Sequence, residues 1–221
     1  MAAEQVGLYE GILTTRAIRR YTGEPVTRDE IETCLRAAQQ APSGGNSQPW
    51  QYLVVTDPEV KTAVAAHYLE AYRRWERAQL RSLPRFRTAE DEQTYLRGVE
   101  ASRYLAEHLA TAAALVLFIM PLVSLVPSDE EGAVEIGPLY ASVYPAVQNF
   151  MLAARSLGIG TVLTTVYWSR QDRLRALLEI PDRFEIVALV PMGRPRGSFG
   201  VAPRKPFPAV THWDRWGNRE T

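Results

Sequence analysis

The sequence predicts an α+β fold: one layered domain in which helices cover a central sheet. Three observations carry that expectation. Strand-like and helix-like stretches are mixed, but without the regular strand–helix–strand alternation that builds a parallel sheet. The 221 residues suffice for one domain with a sizeable core, and no repeat or low-complexity linker divides them. Residues 144–157 form a strongly apolar helical stretch with almost no charge before Arg155, which needs cover on several sides. A single domain over residues 1–221 is expected, its end from about 195 forming an extended arm.

In chain order, residues 7–15 read as a short helix leading into the basic stretch Arg16-Ala17-Ile18-Arg19-Arg20-Tyr21. Thr27 and Glu30 have the spacing of a capping box, each side chain serving the other's backbone N–H. The helix they open carries Ile31, Leu35 and Ala38 on one face and ends near Pro42. Ser43-Gly44-Gly45-Asn46 then form a loop, and residues 52–56 a short β-branched strand. Residues 58–79 are helical with an arginine-rich outer face, while the polar stretch 81–93, with Pro84, is expected to be mobile. A helix over 96–109, a strand over 114–120 and an acidic loop over 126–137 follow. After the apolar helix come a strand over 161–166, a helix over 170–178 and a strand over 185–190. From Arg194 onward proline and aromatic residues are frequent, a composition suited to an arm lying on another surface.

Composition excludes several function classes. Formal net charge is zero, so no global field gathers nucleic acid or an anionic membrane. Lys61 and Lys205 are the only lysines, an arginine bias that suggests GC-rich coding and a bacterial source. Cys34 is the only cysteine and sits in a helical apolar pattern, so it reads as a buried structural thiol. His67, His108 and His212 are far apart, and no metal-spaced pair exists. The first residues lack a basic start and an apolar stretch, and the apolar run 112–126 is too short to span a bilayer. A cytoplasmic protein without membrane attachment is expected.

Three segments carry chemistry. Arg19 and Arg20 neighbour Arg16 at i+3 and i+4 on a helical turn, and like charges so placed repel unless solvent or an anion separates them. Guanidinium forks bond phosphate oxygens strongly, so a phosphate monoester fits; a solvated basic turn is the alternative. In Ala41-Pro42-Ser43-Gly44-Gly45-Asn46-Ser47-Gln48-Pro49-Trp50 the glycines permit close approach to a flat ligand. Ser43, Asn46 and Gln48 there supply donors and acceptors, although a tight connection alone would use similar residues. Gly158-Ile159-Gly160-Thr161-Val162-Leu163-Thr164-Thr165 is not a dinucleotide loop, because it follows a helix, opens a strand and lacks the third glycine.

In this order and spacing the three segments resemble the FMN-dependent nitroreductase family. The resemblance runs nearly end to end, from Thr14-Thr15-Arg16 to Arg204-Lys205-Pro206 and Trp213-Asp214-Arg215-Trp216-Gly217. Its most specific parts are residues 41–50 and Tyr144-Pro145-Ala146-Val147-Gln148-Asn149-Phe150, which continues to Gly160. It implies a three-layer fold with a central, mostly antiparallel sheet flanked by helices, an extended C-terminal arm and an intertwined homodimer. FMN would lie at the subunit interface. Arg16, Ala17 and Arg19 would hold its phosphate, joined by either Arg204 or Lys205 from the tail. The family often has Arg-Arg-Ser where this chain has Thr15-Arg16-Ala17, so the phosphate loses one guanidinium and one hydroxyl, and Thr15 is the candidate replacement. Pro42, Ser43, Gly44, Asn46 and Gln48 would cover the isoalloxazine from the other subunit. Leu163, Thr164 and Thr165 would run past its reactive edge, where many relatives have glycine or an acid in place of Thr165.

The implied reaction takes hydride from NAD(P)H at flavin N5 and delivers it to a small-molecule acceptor such as a nitroaromatic or quinone, with ping-pong kinetics. Arg73 and Arg74 are unranked candidates for stabilising charge near N1. No Ser-His-Asp, Cys-His or paired-carboxylate constellation competes with cofactor-borne redox chemistry. The alternatives are dehalogenation, desaturation or flavin fragmentation on the same fold, or a non-catalytic FMN-binding module.

Overall fold

A computed structural model describes residues 6–83, 85–122, 128–133 and 139–219. Helix α1 spans Leu8–Thr14, α2 Arg28–Ala38, strand β1 Gln51–Val55, α3 Pro58–Arg81, α4 Ala89–His108 and β2 Ala114–Pro121. Two-residue strands β3 (Ser128–Asp129) and β4 (Gly132–Ala133) pair with each other. Helix α5 (Tyr140–Ser156), strand β5 (Gly160–Thr161), helix α6 (Gln171–Leu177) and strand β6 (Phe184–Gly193) complete the described elements. The main sheet has the order β1-β2-β6-β5, antiparallel throughout, which bears out the expected class.

Strand β2 shows why there are three layers. Its side chains alternate faces, as a strand requires. Ala114, Val116, Phe118 and Met120 join the core under α2 and α5, while Leu115, Leu117 and Ile119 join the core under α3 and α4. A bulge between Phe118 and Ile119 shifts the register on β6, so that Phe118 faces Ala188 and Ile119 faces Ile186. The extra residue places both Val187 and Ala188 in the first core.

The capping box of α2 is present: Thr27 Oγ1 accepts from Glu30 N–H at 3.3 Å, and Glu30 Oε2 accepts from Thr27 N–H at 2.9 Å. Glu30 also reaches the residue after β6, with Oε1 2.6 Å from the Arg194 guanidinium. Cys34 is fully buried, and burial, followed by the nearby Glu30 charge, pushes its thiol up to about 12. A structural thiol is what that environment makes.

Three expectations need correction. Helix α4 starts at Ala89 instead of 96, because Thr88 accepts a hydrogen bond from Asp91 N–H and three acidic residues occupy the first turn. Residues 89–93 of the expected mobile stretch are therefore helix; Pro84 lies outside the described residues. The expected strand over 161–166 ends at Thr161. Its chain meets β6 again only at Thr164, which exchanges both backbone bonds with Leu189, and a 3₁₀ turn over Val166–Arg170 follows. The Thr164 hydroxyl accepts from Val166 N–H at 3.4 Å, a local bond that competes with extended pairing. The expected acidic loop contains the β3–β4 pair; residues 126–127 and 134–137 lie outside the described residues.

Candidate functional site

The basic segment is built onto the core by close backbone approach. Ile18 N–H donates to Thr161 O at 2.9 Å, and Ala17 bridges Thr161 in parallel. A Cβ on Gly160 would stand 2.5 Å from Ile18 Cγ2, so glycine here makes room for the segment. Gly158, at φ +68°, ends α5 in the left-handed conformation, with Ile159 N–H bonded to Ala154 O. Both glycines thus serve packing and capping. Tyr21 is buried over Gly193, and burial pushes its hydroxyl well above the ordinary value, with the nearby Arg19 charge opposing.

The tail starts beside the same segment. Tyr21 bridges Pro195, Thr22 N–H donates to Arg194 O, and Arg196 N–H donates to Arg20 O. The Arg196 guanidinium bonds Tyr21 O at 2.7 Å. Arg194 binds both Glu30 and Leu157 O. Tyr68 of α3 meets the 163–165 stretch, its hydroxyl 2.8 Å from Thr164 Oγ1. Burial raises the Tyr68 hydroxyl, and the bond to Thr164 and then the Arg19 charge oppose this. Tyr68 has no motif signal in the sequence and reads there only as a core residue.

Arg16 and Ala17 are exposed and Arg19 is half-buried. Arg20 is committed elsewhere, its guanidinium 3.8 Å above the Tyr104 ring. Leu163 packs on the α5 side of the core, Thr164 is buried and Thr165 is exposed. Arg73 and Arg74 are exposed on α3, one helical turn or more beyond Tyr68.

The glycine loop is placed differently. Its Gly44 N–H donates to Ser142 Oγ at 3.2 Å, in the first turn of α5. Arg155, near the basic segment, is in the last turn, which at 1.5 Å per residue is about 20 Å away. Pro42, Gly44, Asn46 and Gln48 are exposed and Ser43 is half-buried. Gly45, Asn46 and Gln48 all have positive φ, a strained arrangement for the latter two. Ser43 Oγ accepts from Gln48 N–H at 3.0 Å, and the Gln48 amide donates to Asn46 Oδ1 at 3.2 Å. Arg204 and Lys205 are exposed, Arg204 bonding only Pro203 O among the described residues. The chain therefore brings Arg16–Arg19, Leu163–Thr165 and the start of the tail together. It does not bring the glycine loop to them, nor does any hydrogen bond among the described residues join Arg204 or Lys205 to them.

The sequence profile described as the nitroreductase family matches residues 12–194, spanning all three segments and the sheet. The chain belongs to the nitroreductase family. An Archaeoglobus fulgidus protein provisionally named NADH dehydrogenase/NAD(P)H nitroreductase is 30% identical, over 93% of this chain and 96% of its own length. Iodotyrosine deiodinase 1 of Rattus norvegicus is 26% identical over 85% of this chain, a match that covers 61% of that protein. The crystal structure of oxidized iodotyrosine deiodinase bound to FMN and 3-iodo-L-tyrosine shares the fold. Its TM-score is 0.71 at 21% identity, covering 95% of this chain and 100% of that one.

A flavin phosphate suits the residues this nitroreductase-family chain presents. Among the described residues Arg16 and Arg19 make no ion pair, although the buried or half-buried Arg155, Arg170, Arg175 and Arg194 each do. Two guanidinium groups without carboxylate partners, beside one backbone crossing, match the charge of a phosphate dianion.

Proposed function

We propose that this chain is an FMN-dependent oxidoreductase that takes hydride from NAD(P)H and passes it to a nitroaromatic, quinone or similar acceptor by a ping-pong mechanism. The observation that carries the reading is the convergence of unpaired Arg16 and Arg19 with the Leu163–Thr165 stretch through the Ile18–Thr161 contact. Family membership and the name of the Archaeoglobus relative support it. FMN, when bound, supplies the hydride transfer itself. Arg16 and Arg19 bind its phosphate with Ala17 between them, and Arg204 or Lys205 completes the charge. Thr164, held by Tyr68, fixes the backbone at the ring edge.

The working unit in this reading is a homodimer with FMN at the interface. Pro42, Ser43, Gly44, Asn46 and Gln48, far from the phosphate site of their own subunit, cover the flavin of the other. Two surfaces support the assembly. Helix α1 exposes Leu8, Tyr9, Ile12 and Leu13, beside a groove of about 480 Å³ between α1, α2 and α5. The tail exposes Val201, Phe207, Trp213 and Trp216, the last at 90%. Apolar surface of that extent is ordinarily covered by a partner. No described helix is long and apolar enough to cross a membrane, and a cytoplasmic site of action is part of the proposal.

Likeness to the iodotyrosine deiodinases favours one second reading: reductive dehalogenation, in which two electrons and a proton replace a carbon–halogen bond with carbon–hydrogen and release halide. One experiment separates them. Purified protein should be yellow and release FMN on denaturation, and should oxidise NAD(P)H with a quinone. Halide release from a halogenated aromatic without quinone turnover selects the second reading. A protein that takes up no FMN overturns both.

A further inference from the structure

We propose that Arg155 is a positioning residue that sets the geometry of both basic segments at once; this rests on the FMN reading above. The guanidinium sits in the last turn of α5 with only 10% of its side chain exposed. Its Nε donates to Thr14 Oγ1 at 2.9 Å, and Thr14 Oγ1 in turn donates to Glu10 O at 2.7 Å. Glu10 Oε1 lies 3.7 Å away and is itself largely exposed, so the buried charge has only a loose counter-ion. The Phe199 ring covers the guanidinium at 4.2 Å from its centroid.

An ion this buried is unfavourable unless well paired, and an apolar residue would fill the same space without that penalty. The arginine does something an apolar residue does not: it joins α1 to the tail. Thr14 precedes Arg16 by two residues, and the next fixed point on the other side is the Ile18–Thr161 bond. Arg16 is thus strung between two anchors, and Arg155 is one of them. Phe199 precedes Arg204 by five residues, and it is a tail contact beyond the backbone pairing at Pro195 and Arg196. Loss of Arg155 leaves the phosphate-binding side chains in place but frees the backbone on both sides of the anion.

The test is flavin binding to the full-length apoprotein, followed by quenching of flavin fluorescence, with FMN and riboflavin titrated in parallel. Arg155→Met should weaken FMN at least about tenfold, equivalent to about 1.4 kcal/mol, and change riboflavin less than about threefold. Equal losses for the two flavins, or unchanged FMN affinity, overturn the proposal. Should Arg155→Met fail to fold, Thr14→Val and Phe199→Leu test the same link from its ends, as neither removes the buried charge. Each should lower FMN affinity selectively, and the double variant should lose less than the product of the two. Independent, multiplying effects would show that Arg155 joins nothing. Wild-type protein that binds riboflavin but gains nothing from the phosphate would instead sink the phosphate assignment of Arg16 and Arg19.

Discussion

The sheet and the rim of this chain are built to different standards. Strands β2 and β6 are buried on both faces, and their neighbours α2, α3 and α5 complete two cores within the chain. The rim, comprising α1, the glycine loop and the tail, keeps apolar side chains in solvent, among them Leu8 and Phe207 at 75% and 73% exposure. The sheet is complete within the chain; the rim leaves apolar surface uncovered and, with the neighbouring segments 16–19 and 163–165, carries the proposed cofactor contacts. Folding and cofactor binding should therefore respond to different substitutions.

The hardest test of that division is to delete the residues after Arg196. The sheet ends at Gly193, and Arg194 and Arg196 keep their bonds to Glu30, Arg20 and Tyr21. Near-complete loss of bound FMN and of the dimer is expected, together with lower stability, as measured by flavin absorbance, sedimentation and thermal melting. A truncated dimer that still holds stoichiometric FMN would make the tail dispensable. Next in size is Arg16→Glu, which replaces a charge-assisted phosphate contact by repulsion and should weaken FMN by roughly 3 kcal/mol or more. Because Arg16 is exposed and makes no ion pair among the described residues, the apoprotein melting temperature should hardly move. A large drop in stability without flavin loss would place Arg16 with the sheet, not the rim.

Gly160→Ala should hit both regions. The new Cβ would meet Ile18 at its branched carbon, 2.8 Å away, where no flexible end can swing aside. Overpacking of this kind costs about 1–3 kcal/mol, and the displaced segment carries Arg16 and Arg19. Both the melting temperature and FMN affinity should fall; a fall in neither would mean that the segment shifts freely.

How far the sequence anticipates this structure follows the same division. Continuous apolar, β-branched runs mark β1, β2 and β6 because both faces of the sheet are filled from within the chain. Thr27 and Glu30 mark α2 for an equally local reason, since a capping box is complete in four residues. Misreadings occur where a tertiary bond decides. Thr164 reads as strand by its β-branched neighbours, yet its hydroxyl serves Tyr68 and Val166 and the chain turns into a 3₁₀ helix. Arg155 reads as the polar end of an apolar helix, yet it is buried between Thr14 and Phe199, partners 141 and 44 positions away that no local pattern reveals. In the site, Arg16 and the glycine loop are legible as motifs, while their separation to opposite ends of α5 is a property of the fold alone.

Glu30→Gln probes the sheet side at smaller scale. Partial burial raises the Glu30 carboxyl, but the bonds from Thr27 N–H and Arg194 outweigh it and hold the group below its usual range. The amide keeps one capping bond and loses the ion pair, so about 1 kcal/mol of stability should go at neutral pH. A lowered folded-state value means the carboxylate contributes fully above the unfolded value of about 4.3 and loses its contribution as pH falls through the folded one. Wild type and variant should therefore melt increasingly alike as the pH drops through that window, with FMN content unchanged throughout. A gap that widens in acid would contradict the assigned bonds.

The smallest effect is expected at Arg20, and it sharpens the comparison most finely because Arg20 lies one residue from Arg19. Its guanidinium stacks over Tyr104, which itself stacks on His108 at 4.0 Å and 10° between ring planes. An exposed cation–π contact contributes only about 0.5–1 kcal/mol, and a side chain held flat against α4 is turned away from an anion at Arg16 and Arg19. Arg20→Met retains apolar cover on the Tyr104 ring and removes the charge. The melting temperature should fall by no more than that small contribution implies. FMN affinity should change by less than about threefold, some 0.6 kcal/mol, and should be no more salt-dependent than in wild type. Arg19→Met in parallel should lose far more FMN with little change in stability. If the two substitutions behave alike, the phosphate draws on the whole basic stretch and Tyr104 is only a resting place for Arg20 in the absence of the anion.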